Sequence, residues 1–421
     1  MRSPANQRFL RTTTADRNTE VGPHTTPGRL RSATMRLLHT SDWHLGRTFY
    51  RESLIDAQRV FLDHLLTVVQ EREVNAVLVA GDIYDRAIPS LDAVALFDHA
   101  LNSLADLQVP VIMISGNHDS PQRLGVTSRL IERAGIHLRT DPATCHTPAV
   151  VHDEHGPVAF YGLPYLEPFL TREEMAADKP THEAVLSAAM DRVRADLATR
   201  PAGTRSVVLA HAFVTGGHTS DSERDITAGG IPTVPAAVFE GIDYVALGHL
   251  HRPQKVTDRI RYSGSPLAYS FSEAGHTKTT WLADLDADAN LTTEAVPCPR
   301  PRTLDTLTGH LGDLLKDHQY DHLHDAWLHV ILTDPQRPIN AMDRLRTRFP
   351  RTVQLTFAPE NGGPPSSATY TERTRHRTEL EITTGFVDHV RGGHAPTSAE
   401  QDLLRRAVEA TRLNDTVKEA R

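Results

Sequence analysis

The chain has 421 residues, 39% apolar and 23% charged, which is enough for one large core plus a smaller unit and excludes wholesale disorder. A net charge of -8 with histidine neutral excludes a generic polycation that coats nucleic acid, while leaving room for a local basic groove. No run reaches the ~18 apolar residues of a membrane span. The two cysteines, Cys145 and Cys298, lack metal-ligand spacing and read as incidental thiols.

Residues 1–34 are rich in Arg, Thr and Pro, without the apolar core of a secretory signal. They read as a disordered leader, or as sequence ahead of a true start at Met35. From Arg36 to about Phe271, short β-rich runs alternate with amphipathic segments. Leu54–Glu73 and Leu91–Leu107 carry apolar residues at three- and four-residue spacings and predict helices, the second introduced by Pro89-Ser90. The alternation predicts a layered α/β unit over residues 35–284, whose working residues collect outside the carboxyl ends of the strands. Glu167–Ala202 is helical in its centre, and Ser220–Val234 is a polar, Gly-rich loop. An acidic turn at Trp281–Leu291 and three prolines in Pro297–Pro301 place a boundary near Leu285–Pro301, set at residue 285. Beyond it, Trp327–Leu332, Ile339–Phe349 and Thr352–Phe357 predict a strand–helix–strand module within a small α+β unit, residues 285–383. The final segment, residues 384–421, includes a helix over Ser398–Ala410, with Leu403, Leu404, Ala407 and Val408 on one face.

Five of the apolar runs end abruptly in metal-binding side chains. They are RLLHT-SDWH at Arg36–His44, AVLVA-GD at Ala76–Asp82, VIMIS-GNHD at Val111–Asp119, VVLA-H at Val207–His211 and YVALGHLH at Tyr244–His251. Asp42 and His44 are two apart, so in an extended segment both point to one side and can reach one ion; His249 and His251 repeat the geometry. The predicted ligands are Asp42, His44, Asp82, Asn117, His211, His249 and His251. With one carboxylate bridging, seven side chains supply four contacts to each of two ions. Oxygen and nitrogen donors without thiolate suit Mn²⁺, Fe or Zn²⁺ better than Ca²⁺. Two such ions serve phosphoester hydrolysis. His118 is left over as a catalytic candidate, either protonating the leaving group or stabilising charge on the phosphoryl group, with Asp119 as a possible orienter of its ring. His39, inside a strand-like run, reads as structural.

These endings resemble the calcineurin-like metallophosphoesterase family, whose pattern is D-x-H, GD-x-x-D, GNH-D/E, a lone histidine and GH-x-H. Here they stand as Asp42-Trp43-His44, Gly81-Asp82-Ile83-Tyr84-Asp85, Gly116-Asn117-His118-Asp119, His211 and Gly248-His249-Leu250-His251. The longer blocks TSDWHLGR, GDIYDRAIPS, GNHDSPQRL, HAFVTGG and YSGSPLAYSF resemble the SbcD family, nuclease subunits of bacterial SbcC–SbcD complexes. The resemblance is dense to Phe271 and looser afterwards.

It implies a layered β-sandwich flanked by helices, a small α+β capping domain that helps hold DNA, and C-terminal helices that dock on a coiled-coil ATPase. It implies that Asp42, His44, Asp82 and His251 hold one Mn²⁺-type ion, that Asp82, Asn117, His211 and His249 hold the other, and that His118 is the catalytic histidine. The implied activity is a double-strand 3′→5′ exonuclease and single-strand endonuclease processing DNA ends and hairpins. The implied assembly is a homodimer within a heterotetramer, cytoplasmic and nucleoid-associated, without a membrane. ATP is bound by the SbcC-type partner, consistent with the absence here of a G-x-x-x-x-G-K-S/T loop. A phosphodiesterase acting on nucleotides or small diesters, and a non-catalytic DNA-end scaffold, stay open as alternatives. Arg344, Arg346, Arg348 and Arg351 form a basic cluster that either meets phosphates or is a solvated face.

Overall fold

The computed structural model describes residues 34–224, 233–359, 377–391 and 395–419. The leader over residues 1–33, part of the loop expected at Ser220–Val234, and the loop expected at Asn361–Ser367 lie outside the described residues.

The apolar runs form strands because they are covered on both sides. Ala76–Ala80 and Val111–Ile114 are buried at every position, the mark of strands in the interior of a layered sheet. Side chains alternate between two cores. Val77, Val79, Val111 and Met113 pack under the helices Ile55–Glu71 and Leu91–Asp106, whereas Leu78, Ile112 and Ile114 meet Phe160, Val207, Leu209 and Ala246 of a second sheet. Each such Leu or Val contributes roughly 1.5–3 kcal/mol by leaving water.

The first sheet runs Leu291–Pro297, Thr279–Leu285, Met35–Thr40, Ala76–Ala80, Val111–Ile114, Ile136–Arg139. The second runs Gln254–Lys255, Ile260–Tyr262, Tyr244–Gly248, Arg205–His211, Gly156–Leu163, Ala149–Asp153. The helix His182–Leu197 covers the outer face of the second sheet through Val185, Ala189 and Val193. The result is helices, sheet, sheet, helix: the layered α/β sandwich.

The boundary expected near residue 285 falls inside a hairpin. Thr279–Leu285 and Leu291–Pro297 pair antiparallel from Thr279↔Pro297 to Leu285↔Leu291, and Thr279–Leu285 also pairs with Met35–Thr40. The acidic turn is therefore the hairpin's own tip, where the Asp286 carboxylate accepts the N–H groups of Asp288 and Asn290. The first sheet ends only at Pro297.

After it comes a three-stranded parallel sheet, Leu304–Gly309, Trp327–Leu332 and Thr352–Phe357, with the helix Ala341–Arg348 laid on it through Leu345. The predicted strand–helix–strand is present, joined by a strand whose run of exposed polar residues hid it. Trp327 stacks on Phe49 with ring centroids 5.0 Å apart. Together with Leu54, Leu267 and Tyr269 they form an apolar seam between the two units. Two helices, Glu379–Val390 and Ser398–Glu419, follow and contact one another. Among the described residues no helix is long and apolar enough to cross a membrane.

Candidate metal centre

All seven predicted ligands converge where the carboxyl ends of both sheets meet. Asp42 and His44 leave the strand Met35–Thr40, Asp82 leaves Ala76–Ala80, and Asn117 follows Val111–Ile114. His211 ends its strand in the second sheet, and His249 and His251 leave Tyr244–Gly248. Getting seven side chains to one place strains the chain. Asp42, His44, Asp82 and His249 all have positive φ, at 53°, 44°, 50° and 103°. Each such non-glycine residue costs of order 1–3 kcal/mol, which only a firmly packed surround sustains. Two glycines make the approach possible. A Cβ on Gly248 would lie 1.9 Å from the Ala80 carbonyl oxygen, and one on Gly116 would lie 2.2 Å from Asp82 Oδ1.

The geometry centres on Asp82. Its Oδ2 lies 3.6 Å from His44 Nε2 and 3.5 Å from His211 Nε2. On one side His44 Nε2 faces His251 Nε2 at 3.1 Å, with Asp42 close by. On the other, Asn117 Oδ1 lies 2.9 Å from His211 Nε2 and 3.3 Å from His249 Nδ1.

Hydrogen-bond logic tests whether cations fit. His211 Nδ1 lies 2.9 Å from the Ala80 carbonyl, which can only accept. A neutral His211 therefore has its lone pair on Nε2, aimed at the Asn117 amide oxygen, another acceptor. Two lone pairs facing one another beside buried carboxylates want a cation between them, a proton on Nε2 in the metal-free site and a metal ion in its place when one is bound, so the donor set fits divalent ions. Asp42, His44, Asp82, His211, His249 and His251 are all almost fully buried.

Electrostatics agree. Burial pushes the Asp42 carboxyl up to about 6, against the opposing influence of His211, His251 and Ser41. For Asp82, burial is outweighed by the charge and hydrogen bond of His211, which hold the carboxyl well below its usual range. Reciprocally, burial would lower His211 but Asp82 raises it to about 9. Burial holds His44 and His249 well below the usual histidine range, which keeps them neutral and available as ligands. A divalent charge would hold both carboxylates ionised.

His118 sits at the edge of this cluster, its ring centroid 4.6 Å from that of His44. Its Nδ1 donates to the Asp85 carbonyl at 2.8 Å and its backbone N–H to Asp82 Oδ1 at 2.9 Å. The ring is only half-buried and lines an open cleft of about 450 Å³ with Arg47, Arg86, Asn117 and Arg224. The orienting contact expected from Asp119 is absent. Its carboxylate accepts instead from the N–H groups of Ile83, Tyr84 and Gly116, tying the second strand exit to the third. Burial, with the charge of Asp82, raises it to about 7.

The arginine cluster is also partly committed elsewhere. Arg348 binds the Leu314 and Asp317 carbonyls and the Asp321 carboxylate, and Arg346 binds the Thr352 carbonyl. His39 is structural, as expected: Nδ1 meets the Tyr244 hydroxyl at 2.9 Å and Nε2 the Leu247 carbonyl at 3.1 Å.

Several neighbours escaped the sequence reading. Asp85, the last residue of the GD-x-x-D motif, supplies the His118 contact and lies beside His44 and Arg47. Tyr269 donates to the Trp43 carbonyl at 2.6 Å and carries the Arg47 guanidinium over its ring at 4.7 Å. Ser222, Glu223, Glu273 and Lys278 surround His251. Asp85 lies in the GD-x-x-D motif and Tyr269 in the YSGSPLAYSF block, whereas Ser222, Glu223, Glu273 and Lys278 lie in runs without a repeating pattern.

Residues 300–390 match the SbcD_C model, described as type 5 capsule protein repressor C-terminal domain. Similar solved structures include TT1561 of Thermus thermophilus, at 13% identity and a TM-score of 0.36 over 62% of this chain and 99% of that one. A dimetal phosphatase from Danio rerio matches at 13% identity and a TM-score of 0.35, over 63% and 99% of the two chains. Residues 35–253, just over half of the chain, match the calcineurin-like phosphoesterase model. They hold every one of the converging donors, and the chain belongs to the calcineurin-like phosphoesterase family.

Proposed function

We propose that this protein is a two-metal DNA phosphodiesterase, the nuclease subunit of an SbcC–SbcD-type complex. The observation that carries the two-metal reading is the position of Asp82 Oδ2, within 3.6 Å of imidazole nitrogens on both sides. Asp42, His44, Asp82 and His251 would hold one ion, and Asp82, Asn117, His211 and His249 the other; the mixed oxygen and nitrogen donors suit Mn²⁺, Fe or Zn²⁺, and Mn²⁺ is the one that the resemblance to the SbcD family implies. The DNA assignment is supported by the SbcD_C match over residues 300–390 and by the sequence blocks around the ligands.

Divalent ions held by these residues would supply Lewis-acid charge for a phosphoester and for an attacking water. The chain's own residues do the rest. Arg47, Arg86 and Arg224 line the cleft beside His118 together with Asp85 and Asp119. Arg47 and Arg86 pair with Asp85 at 3.4 and 3.5 Å, and the three guanidinium groups outnumber the two carboxyl groups, a balance that suits a phosphate backbone. His118 Nδ1 donates to the Asp85 carbonyl, which leaves Nε2 for the cleft, where the imidazolium form can give its Nε2 proton to a departing oxygen or stabilise phosphoryl charge. Buried Asp119 holds the strand exits so that Asn117 and His118 keep their places.

The test is incubation of the purified protein with linear duplex DNA and Mn²⁺, with and without a coiled-coil ATPase partner. Metal-dependent loss of DNA ends, increased by partner and ATP, is the expected result. Hydrolysis of small diesters with DNA untouched would overturn the DNA assignment in favour of a nucleotide or small-ester phosphodiesterase. Association with the partner, 3′→5′ polarity and a homodimer within a heterotetramer belong to the same proposal.

A further inference from the structure

His251 is gripped from behind by residues that no ligand pattern includes. Its Nδ1 lies 2.6 Å from Ser222 Oγ. Ser222 Oγ in turn donates to Glu273 Oε1, and Lys278 Nζ donates to Glu273 Oε2. The same ammonium donates to the His251 carbonyl at 2.8 Å and to Ser265 Oγ at 2.9 Å. Glu223 Oε1 accepts the backbone N–H of His251 at 2.8 Å. Glu273 has no measurable exposure and Lys278 is 8% exposed, so this ion pair is sealed from water with its hydrogen bonds filled.

The direction of the chain of hydrogen bonds follows from its end. The Glu273 carboxylate, with Lys278 as its countercharge, can only accept, so the Ser222 hydroxyl gives its single proton to Glu273. Its lone pair is then what meets His251 Nδ1, which must be the N–H. That fixes the tautomer: the free lone pair of His251 is on Nε2, the atom facing His44 Nε2 across 3.1 Å. We infer that Lys278, Glu273 and Ser222 form a positioning relay that presents His251 Nε2, ring angle and tautomer both set, to the ion it shares with Asp42 and His44. The inference rests on the two-metal reading proposed above.

The relay also explains why the loop at residues 220–224 is drawn against the site. Ser222 uses its hydroxyl for the relay and its carbonyl to accept from Arg47 at 3.1 Å. Glu223 holds the His251 backbone, and Arg224 reaches the Asn117 carbonyl at 3.2 Å. One short stretch thus touches ligand-bearing segments from both sheets.

Titration of the metal-free full-length protein with Mn²⁺ alone tests this, using Ser222→Ala, Ser222→Thr and Glu273→Gln. Loss of a partner that orients a ligand imidazole typically costs 10–100-fold in metal affinity. Ser222→Ala, at a half-buried loop position, is expected to weaken one of the two Mn²⁺ equivalents by that factor, with the other equivalent unchanged. The metal-free protein is expected to stay folded, though at a lowered unfolding temperature because buried Glu273 and His251 each lose a hydrogen bond. Ser222→Thr, which keeps the hydroxyl, is expected to restore wild-type affinity. Glu273→Gln is expected to weaken the same equivalent. Wild-type affinity for both equivalents in Ser222→Ala, or equal weakening in Ser222→Thr, would overturn the relay. Since no DNA is present, a wild-type protein that binds two ions and leaves DNA intact refutes the DNA assignment without altering this result.

Discussion

Replacing His118 with asparagine should separate the catalytic role proposed for it from metal binding. The side chain makes one hydrogen bond, from Nδ1 to the Asp85 carbonyl at 2.8 Å, on a half-buried ring. Losing that bond costs roughly 0.5–1.5 kcal/mol of stability. The backbone N–H to Asp82 remains, so the metal cluster keeps its framing. A positioned acid or charge-stabilising imidazole contributes about 10²–10⁴ in rate, or roughly 3–5 kcal/mol of transition-state stabilisation. The rate loss should therefore far exceed the stability loss. Measuring kcat at saturating Mn²⁺ on duplex DNA and on a diester with a highly activated leaving group also resolves the role. Equal losses mean phosphoryl charge stabilisation, whereas a loss confined to DNA means leaving-group protonation. Release of an ion from His118→Asn, or a kcat on both substrates within threefold of wild type, would refute the reasoning.

Three other outcomes are expected. Burial lowers the His39 imidazole to about 3, so the unfolded chain takes up a proton near pH 6.5 that the folded one refuses. Its contribution is complete above about pH 6.5 and is lost as pH falls toward 3, by up to about 1.4 kcal/mol per pH unit; urea unfolding of His39→Gln should show a shallower acid dependence in that window. Arg205 and Asp153 form a buried pair with side chains 2% and 4% exposed, and Arg205→Met leaves the carboxylate unpaired. Chemical denaturation should report a loss of about 3–5 kcal/mol, and a loss under 1 kcal/mol would contradict it. Manganese at a hundredfold excess over Kd should stabilise the wild type by about 2.7 kcal/mol per site. A chelator should reverse that gain, and Asp82→Asn, which weakens the ligand proposed to be shared by both sites, should abolish most of it in a thermal-shift measurement.

The central strands were legible because burial on both faces leaves them no choice of residue: AVLVA at Ala76–Ala80 and VIMI at Val111–Ile114 can be nothing else. Edge strands were not. Leu291–Pro297, Leu304–Gly309 and Ala149–Asp153 expose much of their length and admit Thr, Asp and His. That is why a hairpin tip was read as a domain boundary. The helix Glu379–Val390 hid behind Thr383-Thr384-Gly385, weak helix formers in isolation. In the site, the seven donors were readable because each ends a strand. The misreading was Asp119, judged by adjacency to His118. Its carboxylate answers a different need, the unpaired backbone N–H groups created when strands exit sharply. The Ser222–Glu273 contact spans 51 residues, and nothing local in the sequence announces it.

The donors come from two sheets: Asp42, His44, Asp82 and Asn117 from one, His211, His249 and His251 from the other. Ions held among them would rivet the layers, and by linkage their affinity becomes a gauge of how tightly the sandwich is closed. A cavity-forming change at Phe160, packed in the apolar layer between the sheets, should then register as weakened metal binding before it registers as unfolding.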